Sequence, residues 1–302
     1  MEAPPAPTFR AGFVALIGRP NAGKSTLMNA LLKFDLSIVS PKPQTTRHSI
    51  LGILNGPGHQ ICFVDTPGLL DQSRDLLQDA LMRTTRRVAR EDADVRLLLV
   101  EPYVVPAAET ERLAAILGKS GTLILAINKA DLVSPRTKLD AVRAAYAALS
   151  PARSVVLSAR SGEGVADLRE AILALMPVSP PYYETDRLSD RWERFFVAEI
   201  IRAGLFEAYR EEIPHACAVE IEEFKENPGK KDLIRAWIYV ERSNQKGILL
   251  GPRGAALREL AKNRTLAIEK FLGRRVELDL WVKVRAGWRK DLRSLKEFGY
   301  AG

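Results

Sequence analysis

Residues 13–26 read FVALI followed by GRPNAGKST: a short apolar run, Phe13–Ile17, that stops at Gly18-Arg19-Pro20-Asn21-Ala22-Gly23-Lys24-Ser25-Thr26. Residues 18–25 fit G-x4-G-K-[ST] between a buried-strand pattern and a helical one, the setting in which such a loop cradles phosphates. Its glycines let the backbone curl so that successive N–H groups point inward. Lys24 is then placed to neutralise the β/γ oxygens of a nucleotide, and the Ser25 hydroxyl to ligate Mg²⁺.

Working outward, four more short apolar runs follow: Ile61–Val64, Leu97–Val100, Leu123–Ile127 and Val155–Leu157. Helical spacing alternates with them, placing Leu77, Leu81 and Val88 on one face and Leu113, Ile116 and Leu117 on another. Buried strands alternating with helices predict an α/β domain with a doubly wound, mostly parallel sheet. The segment Pro177-Val178-Ser179-Pro180-Pro181 breaks both patterns and marks its end. Beyond it the order reads α-β-β-α-α-β, with alternating strands around Cys217–Ile221, Ile234–Val240 and Val276–Val284 and a helix at about 254–272. The expected organisation is a flexible tail at 1–10, a first domain at 11–177, a linker at 178–186 and a smaller α+β domain at 187–302.

The base-reading group is Asn128-Lys129-Ala130-Asp131, after the run Leu123–Ile127. A carboxylate at Asp131 accepts from both N1–H and the exocyclic amine of guanine, whereas adenine would leave it unpaired. Ser158-Ala159-Arg160 suits a loop whose backbone contacts the guanine O6. Asp65-Thr66-Pro67-Gly68 supplies a carboxylate for Mg²⁺ and an N–H for the γ-phosphate. In the polar loop 41–47 (PKPQTTR), Thr45 and Thr46 compete to complete the Mg²⁺ shell, with Thr46 preferred.

The chain has 302 residues and a net charge of +8. Its apolar runs are far short of the roughly 20 residues that span a bilayer. No signal-peptide pattern opens it, and two cysteines with three histidines make neither a disulfide framework nor a zinc site. The expected location is the cytoplasm. Charge is unevenly spread: residues 184–241 carry 9 Lys+Arg against 14 Asp+Glu, and residues 242–296 carry 15 against 5. A local basic block predicts a surface for a polyanion. At its head, Gly251-Pro252-Arg253-Gly254 is a G-x-x-G loop between helical segments, the device that clamps single-stranded nucleotides. Lys246, Arg253 and Arg258 are its expected phosphate neighbours, with Lys262, Arg264, Arg274 and Arg275 further along; Trp237, Trp281 and Trp288 are candidates for base stacking or core.

The five nucleotide motifs resemble those of translation-factor-class GTPases. With GRPNAGKST, PQTTRH, DTPG, NKAD, SARSGEG, ILLGPRGAAL and VELDLWVKVRAGW in order, residues 12–300 resemble the Era-like family, GTPases with a C-terminal type II KH domain. The resemblance implies slow intrinsic GTP hydrolysis, Mg²⁺ with GTP or GDP as ligand, and binding of the 3′ end of small-subunit (16S) ribosomal RNA during 30S assembly. It also implies peripheral contact with the inner membrane, and no DNA partner. Leu69 stands where Ras-like relatives carry the water-orienting glutamine, and Asn21 matches the asparagine that helps hold K⁺ in potassium-dependent relatives. A rival reading has the basic block serving mainly membrane association or another RNA.

Overall fold

Phe13–Ile17 lie within strand β1 (Arg10–Gly18) of the computed structural model, which describes residues 9–40, 42–70, 72–91, 93–118 and 122–300. With β2 (Ile50–Gly56), β3 (His59–Asp65), β4 (Val95–Val100), β5 (Thr122–Ile127) and β6 (Arg153–Val156), β1 forms a six-stranded sheet ordered β2-β3-β1-β4-β5-β6. All neighbours are parallel except β2, which is antiparallel to β3. Inner strands of such a sheet are covered on both faces, so they are apolar along their length rather than alternating. Val14–Ile17 and every residue of β4 are buried accordingly. Helices α1 (Lys24–Leu32), α2 (Leu76–Arg90), α3 (Ala107–Leu117), α4 (Lys138–Ala145) and α5 (Val165–Leu175) complete the layers. Val88, Leu113, Ile116, Leu139 and Val142 pack with Ile17, Leu98 and Leu125 in one core.

Three details differ from the sequence reading. Strand β2 is the sixth strand where five apolar runs were expected, because Gly52, Asn55 and Gly56 dilute its ILGILNG pattern. Residues 178–190, which include the expected linker, are held against β2 and β3. The Tyr182 and Tyr183 N–H groups donate to Gln60 Oε1 at 2.7 and 3.0 Å, and the Ile53 N–H donates to the Leu188 carbonyl at 2.8 Å. Of the expected tail at 1–10, Arg10 already belongs to β1, and residues 1–8 lie outside the described ones.

The described residues up to Asp190, except 38–45 and 73–80, form one compact unit; those two segments and the chain from Arg191 form a second. The second contains α6 (Glu193–Ala208), β7 (Ala218–Lys225), β8 (Asp232–Val240), α7 (Ser243–Leu250), α8 (Ala255–Leu272), β9 (Val276–Val284) and a short α9 (Leu292–Glu297). Its sheet runs β7-β8-β9, antiparallel then parallel. Alternation puts Ile234, Ala236, Ile238 and Val240 of β8 on the face packed by Val197, Ile201, Leu249 and Leu260 from the helices. Trp288 belongs to this interior and not to an RNA surface: it is fully buried, its indole N–H donates to the Ala216 carbonyl at 2.9 Å, and it stacks on Tyr300. Also within this unit, the Lys42 ammonium donates to the Phe206 and Tyr209 carbonyls at the C-terminal end of α6, where the helix dipole favours a cation. Arg289 pairs with Asp75 at 3.4 Å and Glu241 at 2.6 Å.

Candidate functional site

The loop from Gly18 to Lys24 joins β1 to α1, at the C-terminal edge of the sheet where open α/β sheets hold ligands. Helix α1 starts from Gly23 in the left-handed region with no side-chain cap, which leaves its first N–H groups to an anion. Asn21 is also left-handed, a conformation Asn tolerates better than most residues. Lys24 is buried and its ammonium donates to the Gly18 and Arg19 carbonyls, both at 3.0 Å. Burial brings its pKa down to about 8, against the upward pull of Asp65. A cation held this way gains most from a phosphate that restores its charge balance.

Asp65, at the end of β3, is fully buried and its carboxyl is pushed up by desolvation, with Lys24 and the Ser25 hydroxyl opposing. Ser25 Oγ donates to Asp65 Oδ2 at 2.7 Å and lies 3.1 Å from Thr46 Oγ1, while Asp65 Oδ1 is buried without a hydrogen-bond partner. Two neighbouring hydroxyls and a buried carboxylate with one oxygen left without a hydrogen-bond partner form a hard-donor set that fits Mg²⁺. Thr45 lies outside this set, its hydroxyl donating to the Lys42 carbonyl at 2.8 Å. The Thr66 hydroxyl, expected near phosphate, donates instead to the Leu16 carbonyl at 2.7 Å and pins the loop to β1. Gly68 lies so close to the phosphate loop that an added Cβ would stand 2.7 Å from the Pro20 nitrogen. Thr85 Oγ1 of α2 holds the Pro67 carbonyl at 3.1 Å. Leu69 is 1% exposed and sits in the core cluster, so its side chain faces away from any water in the loop.

At the ends of β5 and β6 the base-reading residues separate into two roles. Asn128 is buried and spent on protein: its amide donates to the Ala22 carbonyl at 2.8 Å, and its Oδ1 accepts the Ala159 N–H at 2.9 Å. It clamps the phosphate loop to the 158–160 loop, and the Ala159 N–H, on a loop expected to face guanine, is engaged there. Asp131 and Arg160 are exposed, and Ser158 is buried, its backbone N–H donating to the Glu163 carbonyl at 2.9 Å. Lys129 pairs with Glu101 at 2.6 Å, which fixes the end of its side chain.

In the second unit, Gly251 and Gly254 flank exposed Pro252 and a left-handed Arg253 between α7 and α8. Gly251 has a φ of 64°, and an added Cβ would meet the Ala256 Cβ at 2.7 Å, so this turn requires glycine. Arg258 donates to the Arg253 carbonyl at 2.9 Å and stays exposed, and Lys246 is half-buried on α7. Arg264 and Arg274, in contrast, pair with Glu207 at 2.7 Å and with Asp232 and Glu193, both at 2.5 Å. Lys262 and Arg275 remain on the surface.

The sequence reading missed three supporting residues. Asn29 in α1 accepts the Leu36 and Ser37 N–H groups at 3.1 and 2.9 Å and so fixes the start of the 37–47 loop. A polar Asn inside a helix is a weak signal for such a role. Glu101, and Glu109 at 3.5 Å from Arg19, hold site residues from distant segments and carry no local signal.

A family model described as 50S ribosome-binding GTPase matches residues 13–129, and one described as KH domain matches residues 212–289. The chain is 44% identical over 295 residues to GTPase Era of Geobacter metallireducens, covering 97% of this chain and 98% of the relative. It is 41% identical to a chloroplastic GTPase ERA-like protein of Oryza sativa, covering 97% of this chain and 70% of that one. Among solved structures, an Aquifex aeolicus Era variant bound to GDP and AlF4− superposes with a TM-score of 0.92 at 33% identity, over 97% of this chain and all of that one. An Era in complex with MgGDPNP and nucleotides 1506–1542 of 16S ribosomal RNA gives 0.90 at 34% identity, with the same coverage.

Proposed function

This chain belongs to the Era family of GTPases, and on that premise we propose that it is a GTP-dependent switch that grips the 3′ end of small-subunit (16S) ribosomal RNA with its KH domain and acts in 30S subunit assembly. The reaction is hydrolysis of GTP to GDP and phosphate. Lys24 and the loop N–H groups hold the β and γ phosphates, Asp131 takes the guanine N1–H and amine, and Lys129, oriented by Glu101, lies along the base. Ser25, Thr46 and Asp65 would hold Mg²⁺, which when bound neutralises charge on the β and γ oxygens. Leu69 is turned into the core, so no side chain at that position orients the attacking water. That task falls to the 65–68 backbone, and Asn21 would hold K⁺ to supply the positive charge an arginine finger gives elsewhere. Faster turnover in KCl than in NaCl is the expected result; equal rates would count against this role of Asn21.

One observation supports the RNA reading above the others: a glycine-flanked, exposed, basic loop opens α8 in a chain 34% identical, over 97% of its length, to an Era solved on 16S RNA. The switch is supported by Lys42 and Asp75. Lys42 lies on the 41–47 loop that carries the Mg²⁺-shell candidates Thr45 and Thr46, and Asp75 immediately precedes α2. Within the second compact unit, to which both belong, they are held by the carbonyls at the end of α6 and by Arg289. A cytoplasmic location accompanies this reading, and among the described residues no helix is long and apolar enough to cross a membrane. The deciding measurement is affinity for a 3′-end oligonucleotide with a non-hydrolysable GTP analogue and with GDP, beside Gly254→Asp, at fixed salt. Tighter, sequence-selective binding with the analogue, lost in Gly254→Asp, is expected. Weak binding indifferent to nucleotide and to Gly254, with tighter binding to anionic vesicles or unrelated RNA, would replace this function with the rival one.

A further inference from the structure

Asp65 has a buried neighbour outside the set formed by Ser25, Thr46 and Asp65 itself. Ser37 follows α1, and its main chain is clamped twice by Asn29. The Ser37 N–H donates to Asn29 Oδ1 at 2.9 Å, and the Ser37 carbonyl accepts from Asn29 Nδ2 at 2.8 Å. Asn29 comes four residues after Ser25 on α1, so both side chains leave the same face of that helix. The two therefore serve one carboxylate. Ser25 Oγ donates to Asp65 Oδ2 at 2.7 Å, and the Ser37 hydroxyl that Asn29 delivers lies beside Asp65 and favours its ionised form. Yet Ser37 Oγ makes no hydrogen bond within the protein, and neither does Asp65 Oδ1.

We propose that Ser37 is a positioning residue of the Mg²⁺ site, its hydroxyl fixing the Asp65 carboxylate that serves the metal. Two idle buried oxygens at one carboxylate are rare in a folded protein, because each forfeits the hydrogen bonds it made in water. The Asn29 clamp uses only the main chain of Ser37, so alanine there would keep it, and the hydroxyl adds no hydrogen bond to the protein alone. Thr45 and Thr66, by contrast, spend their hydroxyls on the Lys42 and Leu16 carbonyls. The chemistry of a serine suits the loaded site. Mg²⁺ keeps several waters and takes few protein ligands, so the groups behind those ligands decide how well they hold it. A hydroxyl can donate to a carboxylate while accepting from a water, which neither an alanine nor a second carboxylate does. This inference rests on the reading that Ser25, Thr46 and Asp65 hold Mg²⁺, and it adds a residue that acts through Asp65.

The test follows release of a fluorescent GDP from the intact protein as Mg²⁺ is varied, and reads the Mg²⁺ concentration at which release is half-maximally slowed. Ser37→Ala should raise that concentration about tenfold. In EDTA the same variant should release GDP at the wild-type rate. It should also unfold at the same or a higher urea concentration, because alanine removes an unsatisfied buried hydroxyl. Asp65→Asn should raise the Mg²⁺ requirement at least as far, and adding Ser37→Ala to it should change little, since Ser37 acts through that carboxylate. A requirement raised by Asp65→Asn but not by Ser37→Ala would overturn the role of Ser37 and leave the metal set standing. A requirement moved by neither would remove Asp65 from that set, and this inference with it. A Ser37→Ala protein that unfolds at lower urea and releases GDP faster with and without Mg²⁺ alike would make Ser37 a structural residue and overturn the proposal.

Discussion

The two glycine loops of this protein, Gly18–Gly23 and Gly251–Gly254, each open a helix from a left-handed glycine without a side-chain cap, and they stand in opposite surroundings. Behind the first lie buried Lys24, Asp65 and Asn128. Around the second, Pro252, Arg253 and Arg258 are exposed. The difference follows from what each must do. Stabilising a developing charge needs fixed groups in a dry site, where each is worth most. Gripping a polyanionic strand needs an open approach and charges that add by counterion release. Substitutions should therefore be severe and local at the first loop, and mild and salt-dependent at the second.

The sharpest way to break this contrast is Lys24→Ala, expected to lower kcat/KM for GTP by about 10³-fold while leaving thermal unfolding little changed. A loss under tenfold would mean that the backbone N–H groups alone hold the phosphates. Next is Asn128→Ala, which orphans the Ala22 carbonyl and the Ala159 N–H in the interior. It should cost about 2–4 kcal/mol in urea unfolding and loosen GDP with it. At the second loop, Gly251→Ala forces a Cβ against Ala256 in a left-handed backbone. RNA affinity should fall about tenfold, with GTP turnover in the absence of RNA untouched.

Proton linkage gives a comparable effect on the nucleotide side alone. Lys24 titrates near 8 in the free protein, and phosphate restores its charge, so binding takes up a proton above that pH. GTP affinity should fall about tenfold between about pH 7.5 and 9, and calorimetry in buffers of different ionisation enthalpy should detect the uptake. The uptake should vanish in Lys24→Met, which also separates it from ionisation of guanine. Binding of RNA should not share this dependence. The smallest expected change is Arg258→Gln, a two- to fivefold loss of RNA affinity with the salt slope shallower by about 0.7. A larger loss, with an unchanged slope, would mean that Arg258 shapes the loop through the Arg253 carbonyl instead of meeting phosphate.

What could be read without coordinates were the features encoded within a turn or two of chain. Glycine spacing before Lys24, the apolar runs of β1, β3, β4 and β5, the alternation of β8 and β9 and the turn at Gly251–Gly254 each depend on near neighbours. Strand β2 escaped because an edge strand paired through a hairpin tolerates glycines that blur its pattern. The roles of single side chains were decided elsewhere. That Asn128 clamps two loops, that Thr46 and not Thr45 lies against Ser25, that Leu69 turns inward, and that Trp288 is core while Trp281 is exposed all depend on partners tens of residues away. A residue type limits what bonds a side chain can make. Which bond it makes is set by the groups that packing brings within about 3 Å, and only the tertiary structure specifies those.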